Sequence, residues 1–196
     1  MCAIIDIEAI MKNLIVVTMF LTILASGLSA QATGYVESYH DFNGGSYSPA
    51  VNVWIQGPVK DKVGYFVWSL NSKEYAEAYA GLNYKLTNWM EVGAGVGLET
   101  AKSPARVGLY TFISKGRFSS FAGYENGGSG YWDRVTTNYT LYKNDFLSIG
   151  AGGMHQSFKG YGPRVQIGLG KRITVWTSFL AEKGKPTSML AVQWGF

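Results

Sequence analysis

His155 and Ser157 stand one residue apart, so on an extended strand both side chains leave the same face. An imidazole beside a hydroxyl is the pair that makes serine a nucleophile, provided a third group orients the histidine. The next acidic residue downstream is Glu182, too far along the chain to serve locally, and the glycines around the pair read as an ordinary loop tip. His40 and Asp41 are adjacent but have no third ligand at useful spacing, so no metal site is expected. Gly127, Gly128 and Gly130 follow a strand-like run and open no helix, which argues against a phosphate loop, and no cofactor motif is found elsewhere. Asn138, Tyr139 and Thr140 spell a glycosylation triplet but lie inside another strand-like run.

The remaining chemistry is charge at alternating positions. Glu77, Glu91 and Glu99 come from two consecutive runs, and Arg106, Arg134 and Arg164 from later ones, with Asn138 and Gln166 between them. If the polar face of each run looks into a common lumen, acidic groups line one arc and arginines mostly the next. That sets a transverse field, and charges on a pore wall tune ion selectivity. The competing reading is that these charges pair across neighbouring strands and stabilise a plugged interior, with Arg106 well placed to reach Glu99.

The elements that must carry these groups are strands. From Trp89 to Glu99 one face holds Met90, Val92, Ala94, Val96 and Leu98, while the other holds Glu91, Gly93, Gly95, Gly97 and Glu99. The same split recurs around Val53, Leu109, Tyr139 and Ile167, whereas residues 64–70 and 173–182 carry large side chains on both faces. Short polar turns contain Lys60, Lys85, Lys115, Lys143 and Lys171, which fall 25, 30, 28 and 28 residues apart. That interval fits a hairpin of two strands of about ten residues with two connections. Twelve strands are expected, over 34–42, 49–57, 63–70, 75–86, 89–99, 105–114, 117–125, 131–142, 145–155, 163–170, 173–182 and 187–196. An eight- or ten-stranded count is the alternative, but eight strands leave connections of about twelve residues. All five prolines are expected in connections or at the first residues of strands.

Composition decides which way the apolar face points. The 196 residues are 47% hydrophobic and only 15% charged, with 25 glycines, against about 25% charged in ordinary soluble domains. A soluble barrel with the glycine face outside would have little charge to hold it in water. With the apolar face toward lipid, the low charge follows, and every backbone polar group is satisfied by a neighbouring strand. Trp89, Phe118, Tyr142, Phe146 and Trp194 beside the lysine turns, and Tyr75, Tyr131, Trp132 and Tyr161 beside the other loops, fit two interfacial girdles. Trp89 and Trp132 instead face inward on the chosen parity, where they could stack a sugar. The 17 lysines and arginines are scattered, so nucleic acid is not an expected partner.

Two terminal signals complete the picture. From Met11 a lysine, an apolar run from Leu14 to Ala25 and small residues up to Ala32 have the order of a secretory signal peptide. Residues 1–32 are therefore read as an upstream extension and signal peptide, and 33–196 as the barrel. Cleavage there removes Cys2, the one cysteine. At the other end Leu190, Val192, Trp194 and Phe196 share one face of the last strand. This resembles the C-terminal strand of bacterial outer-membrane β-barrel proteins, which is read by the barrel-assembly machinery.

The resemblance implies an all-β, up-and-down antiparallel transmembrane barrel in the outer membrane, porin-like, with both termini in the periplasm. The expected function is that of a narrow passive channel for ions or small hydrophilic solutes, lined by Glu77, Glu91, Glu99, Arg106, Arg134, Asn138, Arg164 and Gln166, and not that of an enzyme. Alternatives are a closed structural or partner-binding barrel and a soluble lipocalin-like barrel. His155 and Ser157 also resemble the His-x-Ser of lipid A deacylases, but this sequence lacks that family's downstream glutamate.

Overall fold

The computed structural model describes residues 32–196; the expected signal peptide lies, but for its last residue, outside them. Twelve strands run in order: β1 (Thr33–Asn43), β2 (Ser46–Lys60), β3 (Val63–Ser72), β4 (Ala76–Lys85), β5 (Met90–Glu99), β6 (Ala105–Lys115), β7 (Phe118–Gly127), β8 (Gly130–Lys143), β9 (Leu147–Gln156), β10 (Gly160–Leu169), β11 (Ile173–Glu182) and β12 (Lys185–Gly195). Each pairs antiparallel with its chain neighbours, and β1 pairs with β12, so the sheet closes without an edge. The seam runs from Tyr35 opposite Gly195 to Asn43 opposite Thr187. Phe196 and Gly34 exchange amide hydrogen bonds of 3.0 and 3.1 Å at its end.

The expected twelve strands are all present. β2 extends by three residues at each end, and β10 begins three earlier. Contrary to expectation, Pro58 lies within β2, two residues from its turn end and at the register shift between Pro58 and Lys60. Pro49 and Pro163 likewise stand inside strands near their loop ends. The connections on the loop side are tight; Gly44 and Gly45 alone join β1 to β2, both at positive φ (53° and 88°), as a two-residue hairpin turn requires.

Side-chain parity agrees with the sequence reading on the apolar faces. Val96, Leu82, Phe179, Leu109 and Leu141 point outward and are 58–68% exposed, forming a belt with no protein partner. Phe118, Tyr142, Phe146, Trp194, Tyr131 and Tyr161 are also exposed, at the two rims. Tyr75 is not part of a girdle: its hydroxyl turns to Glu77 and Glu99. No helix among the described residues is long and apolar enough to cross a membrane, which does not bear on strands.

The inside differs from a lumen of glycines and scattered charge. One apolar cluster packs Met154, Trp176, Leu180, Met189 and Ala191 with Tyr39, and a second packs Phe66, Tyr79 and Tyr110 with Trp54, Trp68 and Phe121. This accounts for β3 and β11, which carry large residues on both faces because one set meets the exterior and the other fills the barrel. The glycines of β5 are the counterpart of those rings. A Cβ at Gly93 would fall 2.1 Å from the Tyr110 ring, at Gly95 2.9 Å from Phe66, and at Gly97 2.9 Å from Tyr79. Aromatic side chains lie flat on a glycine floor, covering backbone that would otherwise be bare.

Candidate functional site in the lumen

Three groups of side chains occupy the interior. The first is an ion cluster on β4 to β7. Arg106 bonds Glu99 through Nη1 at 2.6 Å and lies 3.4 Å from both Glu77 and Glu125. Its Nε donates to the Tyr79 hydroxyl at 2.6 Å, and its Nη1 also reaches Ser129 Oγ at 2.5 Å. Ser129, in the β7–β8 turn, donates its amide to Glu99 at 2.7 Å, so this turn is pinned over the lumen. With side-chain exposures of 0–10%, the cluster is sealed from water. Three carboxylates meet one guanidinium, and the Tyr75, Tyr79 and Ser129 hydroxyls take up the remaining lone pairs.

The second group is the ring cluster on its glycine floor. Trp54 stacks on Phe66 with centroids 5.2 Å apart, and Tyr110 meets both rings edge-on at 5.0 Å. Tyr110 is held by a 2.7 Å hydrogen bond from its hydroxyl to Glu91.

The third group lies on the opposite wall, where cations and rings alternate. Lys159 Nζ is 5.9 Å from the Tyr39 ring, and the Arg134 guanidinium is 5.9 Å from the same ring. Arg134 is also 5.6 Å from Trp176, and Arg164 is 4.9 Å from Trp176. Among the described residues neither arginine has a carboxylate within ion-pair distance. Arg164 donates to Gln166 at 2.6 Å, and the Nε of each arginine is buried with no partner. Glu37 sits in this wall, but its oxygens accept from Trp176 Nε1 (2.7 Å) and Asn52 (3.3 Å). Lys159 itself is bonded to Asp41; burial pulls its ammonium below the usual lysine range, and Asp41 opposes that shift.

A cavity of about 870 Å³ opens at the lysine-turn end. Trp89, Glu91 and Phe112 line one side, Arg134, Arg164 and Trp176 the other, with Trp54 and Tyr110 between them. A small void of about 60 Å³ continues it toward Trp68, Trp132 and Glu125.

The eight residues expected on a pore wall all point inward but divide by circumstance. Glu77, Glu99 and Arg106 are consumed in the ion cluster, as the pairing alternative anticipated. Asn138 is buried against Gly150, where a Cβ would fall 2.3 Å from its oxygen. Glu91, Arg134 and Arg164 face the open cavity, with Gln166 beside Arg164. Sequence reading missed Glu37, Glu125 and Lys159. Extending the alternation Tyr35, Glu37, Tyr39 and Phe121, Gly123, Glu125 would have found the first two, but no local signal marks Lys159.

The outer wall carries one more arrangement. Asp133 on β8 supplies the acidic partner that the sequence near His155 lacks: its Oδ2 is 2.9 Å from His155 Nε2, and its Oδ1 accepts from Ser157 Oγ. The order differs from a nucleophilic triad because the carboxylate, not the imidazole, takes the serine proton. Ser157 also accepts the Asp133 amide at 2.8 Å and is 7% exposed, so its oxygen is occupied and covered. His40 is bonded to Tyr47 at 2.7 Å, and no group of three metal-ligating side chains occurs among the described residues.

No protein-family model matches the chain, and no curated protein matches it by sequence. Solved structures do match. The KdgM porin is 14% identical, with a TM-score of 0.54 over 83% of this chain and 99% of that one. The KdgM porin in complex with disordered oligogalacturonate is 15% identical, with a TM-score of 0.56 over the same shares. The NanC porin in a rhombohedral crystal form is 11% identical, with a TM-score of 0.50 over 81% and 98%. At such identities the likeness is one of fold: a closed, twelve-stranded antiparallel barrel built as these porins are built.

Proposed function

We propose that the protein is a narrow passive channel of the bacterial outer membrane whose preferred solutes are small, hydrophilic and negatively charged, acidic sugars above all. The observation that carries this reading is the wall of Lys159, Tyr39, Arg134, Trp176 and Arg164. Its two arginines have no carboxylate partner among the described residues and border an open cavity. Burying a cation without a counter-ion is costly, and a passing carboxylate supplies what the protein withholds. Arginine binds carboxylates through two parallel bonds, and Trp176 and Trp54 offer flat faces to a sugar ring. The neighbour solved with oligogalacturonate, a sugar chain rich in carboxylates, points the same way.

Membrane placement rests on the exposed belt around Leu82 and Val96 and on the aromatic rims. The last strand fits the proposed role of assembly signal: Leu190, Val192, Trp194 and Phe196 are 40–52% exposed on the outer wall. The lysine turns, the start of β1 and the end of β12 are assigned to the periplasm. The reading includes no catalytic step, since the Ser157 hydroxyl is covered and bonded to Asp133 rather than to the His155 imidazole. Vesicle swelling with purified protein tests it: galacturonate is expected to enter faster than galactose. Equal rates, or none above protein-free vesicles, would overturn the preference or the channel.

A further inference from the structure

The loop end of the cation and ring series is tied off. Lys159 lies at the tip between β9 and β10, and its ammonium reaches Asp41 on β1, 118 positions away in the chain. Going round the wall, β12, β11 and β10 separate β1 from β9, so the pair spans part of the barrel mouth. The two side chains are 20% and 14% exposed, placing them at the boundary between water and the packed interior. Asp41 Oδ2 takes the ammonium, while Oδ1 is buried with no partner. The Tyr39 ring lies under the ammonium, with Arg134 on the same ring.

A cation thus holds a carboxylate that is only half satisfied and sits next to solvent, with a second cation on the ring beneath. A carboxylate held at a position open to exchange competes with any free carboxylate, and its attachment to the chain gives it a fixed local concentration.

We propose that Lys159, Tyr39 and Arg134 form a carboxylate-binding site at the loop mouth whose resting occupant is the protein's own Asp41. An arriving acidic solute takes the place of Asp41 on Lys159 and passes inward to Arg134 and then Arg164. No bond is made or broken; one ion pair is exchanged for another. Neutral sugars gain nothing from the exchange, so the site discriminates at the mouth before the cavity is reached. The inference rests on the channel reading above.

The test uses the full barrel in planar bilayers, with galacturonate or galactose added to one side at a time and brief current blocks counted. Asp41→Asn keeps the side-chain shape and removes the competing charge. It is expected to raise the frequency of galacturonate blocks from the loop side severalfold, leaving galactose unchanged, and Lys159→Met is expected to abolish the loop-side preference for galacturonate. If Asp41→Asn matches wild type while Arg134→Ala still alters ion selectivity, the mouth site is wrong and the channel stands. A wild-type barrel that inserts and stays silent overturns both. Should Asp41→Asn not insert, Lys159→Met decides alone: persistence of the loop-side preference refutes the site.

Discussion

Arg106 and Arg134 are the same residue type, both face the barrel interior, and their removal has different consequences. Arg106 neutralises part of a set of three carboxylates from which water is excluded, with its own side chain 2% exposed. Arg106→Met leaves Glu77, Glu99 and Glu125 facing each other with no cation, and breaking a buried pair in this way costs about 3–5 kcal/mol. That is a loss of roughly two to nearly four powers of ten in the folding equilibrium. Removing the orphaned charge restores part of it, so Arg106→Met combined with Glu99→Gln and Glu125→Gln lies closer to wild type than Arg106→Met alone. Arg134 has no ion pair among the described residues to break; Arg134→Met loses three ring contacts at 5.6–6.0 Å and removes a half-buried, uncompensated charge. The two effects oppose each other, and the net change is within about 1 kcal/mol of zero. Urea titration of reversible folding into lipid vesicles, followed by tryptophan fluorescence, measures both. An Arg134→Met loss as large as that of Arg106→Met would refute the division of the lumen into a structural cluster and a free wall.

Gly93→Val drives a side chain into the Tyr110 ring, which is held by Glu91 and Trp54, and is expected to destabilise the barrel by about 1–3 kcal/mol in the same titration. Ser157→Ala removes the bonds to Asp133 and costs about 1 kcal/mol, with no hydrolysis of lipid esters in either wild type or variant; turnover lost in the variant would reinstate a hydrolase. Trp176→Ala opens the cavity beside both arginines, and longer current blocks by galacturonate in wild type than in the variant are expected. Deleting Phe196 removes the amide exchange with Gly34 and one member of the proposed assembly signal; the yield of heat-modifiable barrel in outer membranes is expected to fall.

The barrel was legible because its period is strict. β5 alternates cleanly since its inner face holds glycines under other strands' rings, and the lysine turns recur at hairpin spacing. β3 and β11 blurred the pattern for the opposite reason: Phe66, Trp68, Trp176 and Leu180 fill the inside while Phe179 faces out. Parity assigns charges to a face of each strand but does not say which of them pair. Arg106 meets Glu125 from the paired strand β7 and Glu77 from β4, two strands away, contacts set by strand register rather than by neighbours in the chain. Asp133 beside His155, and Lys159 on Asp41, are likewise products of closure and register, joining residues 22 and 118 positions apart.

The most direct test of the account is the reversal potential of the wild-type barrel and of Arg134→Ala with Arg164→Ala, measured under a potassium chloride gradient in a planar bilayer. The account predicts an anion-selective wild type whose preference vanishes in the double variant, as the two guanidinium groups that face the cavity are removed. A cation-selective wild type, or a reversal potential that the two substitutions leave unmoved, would contradict it.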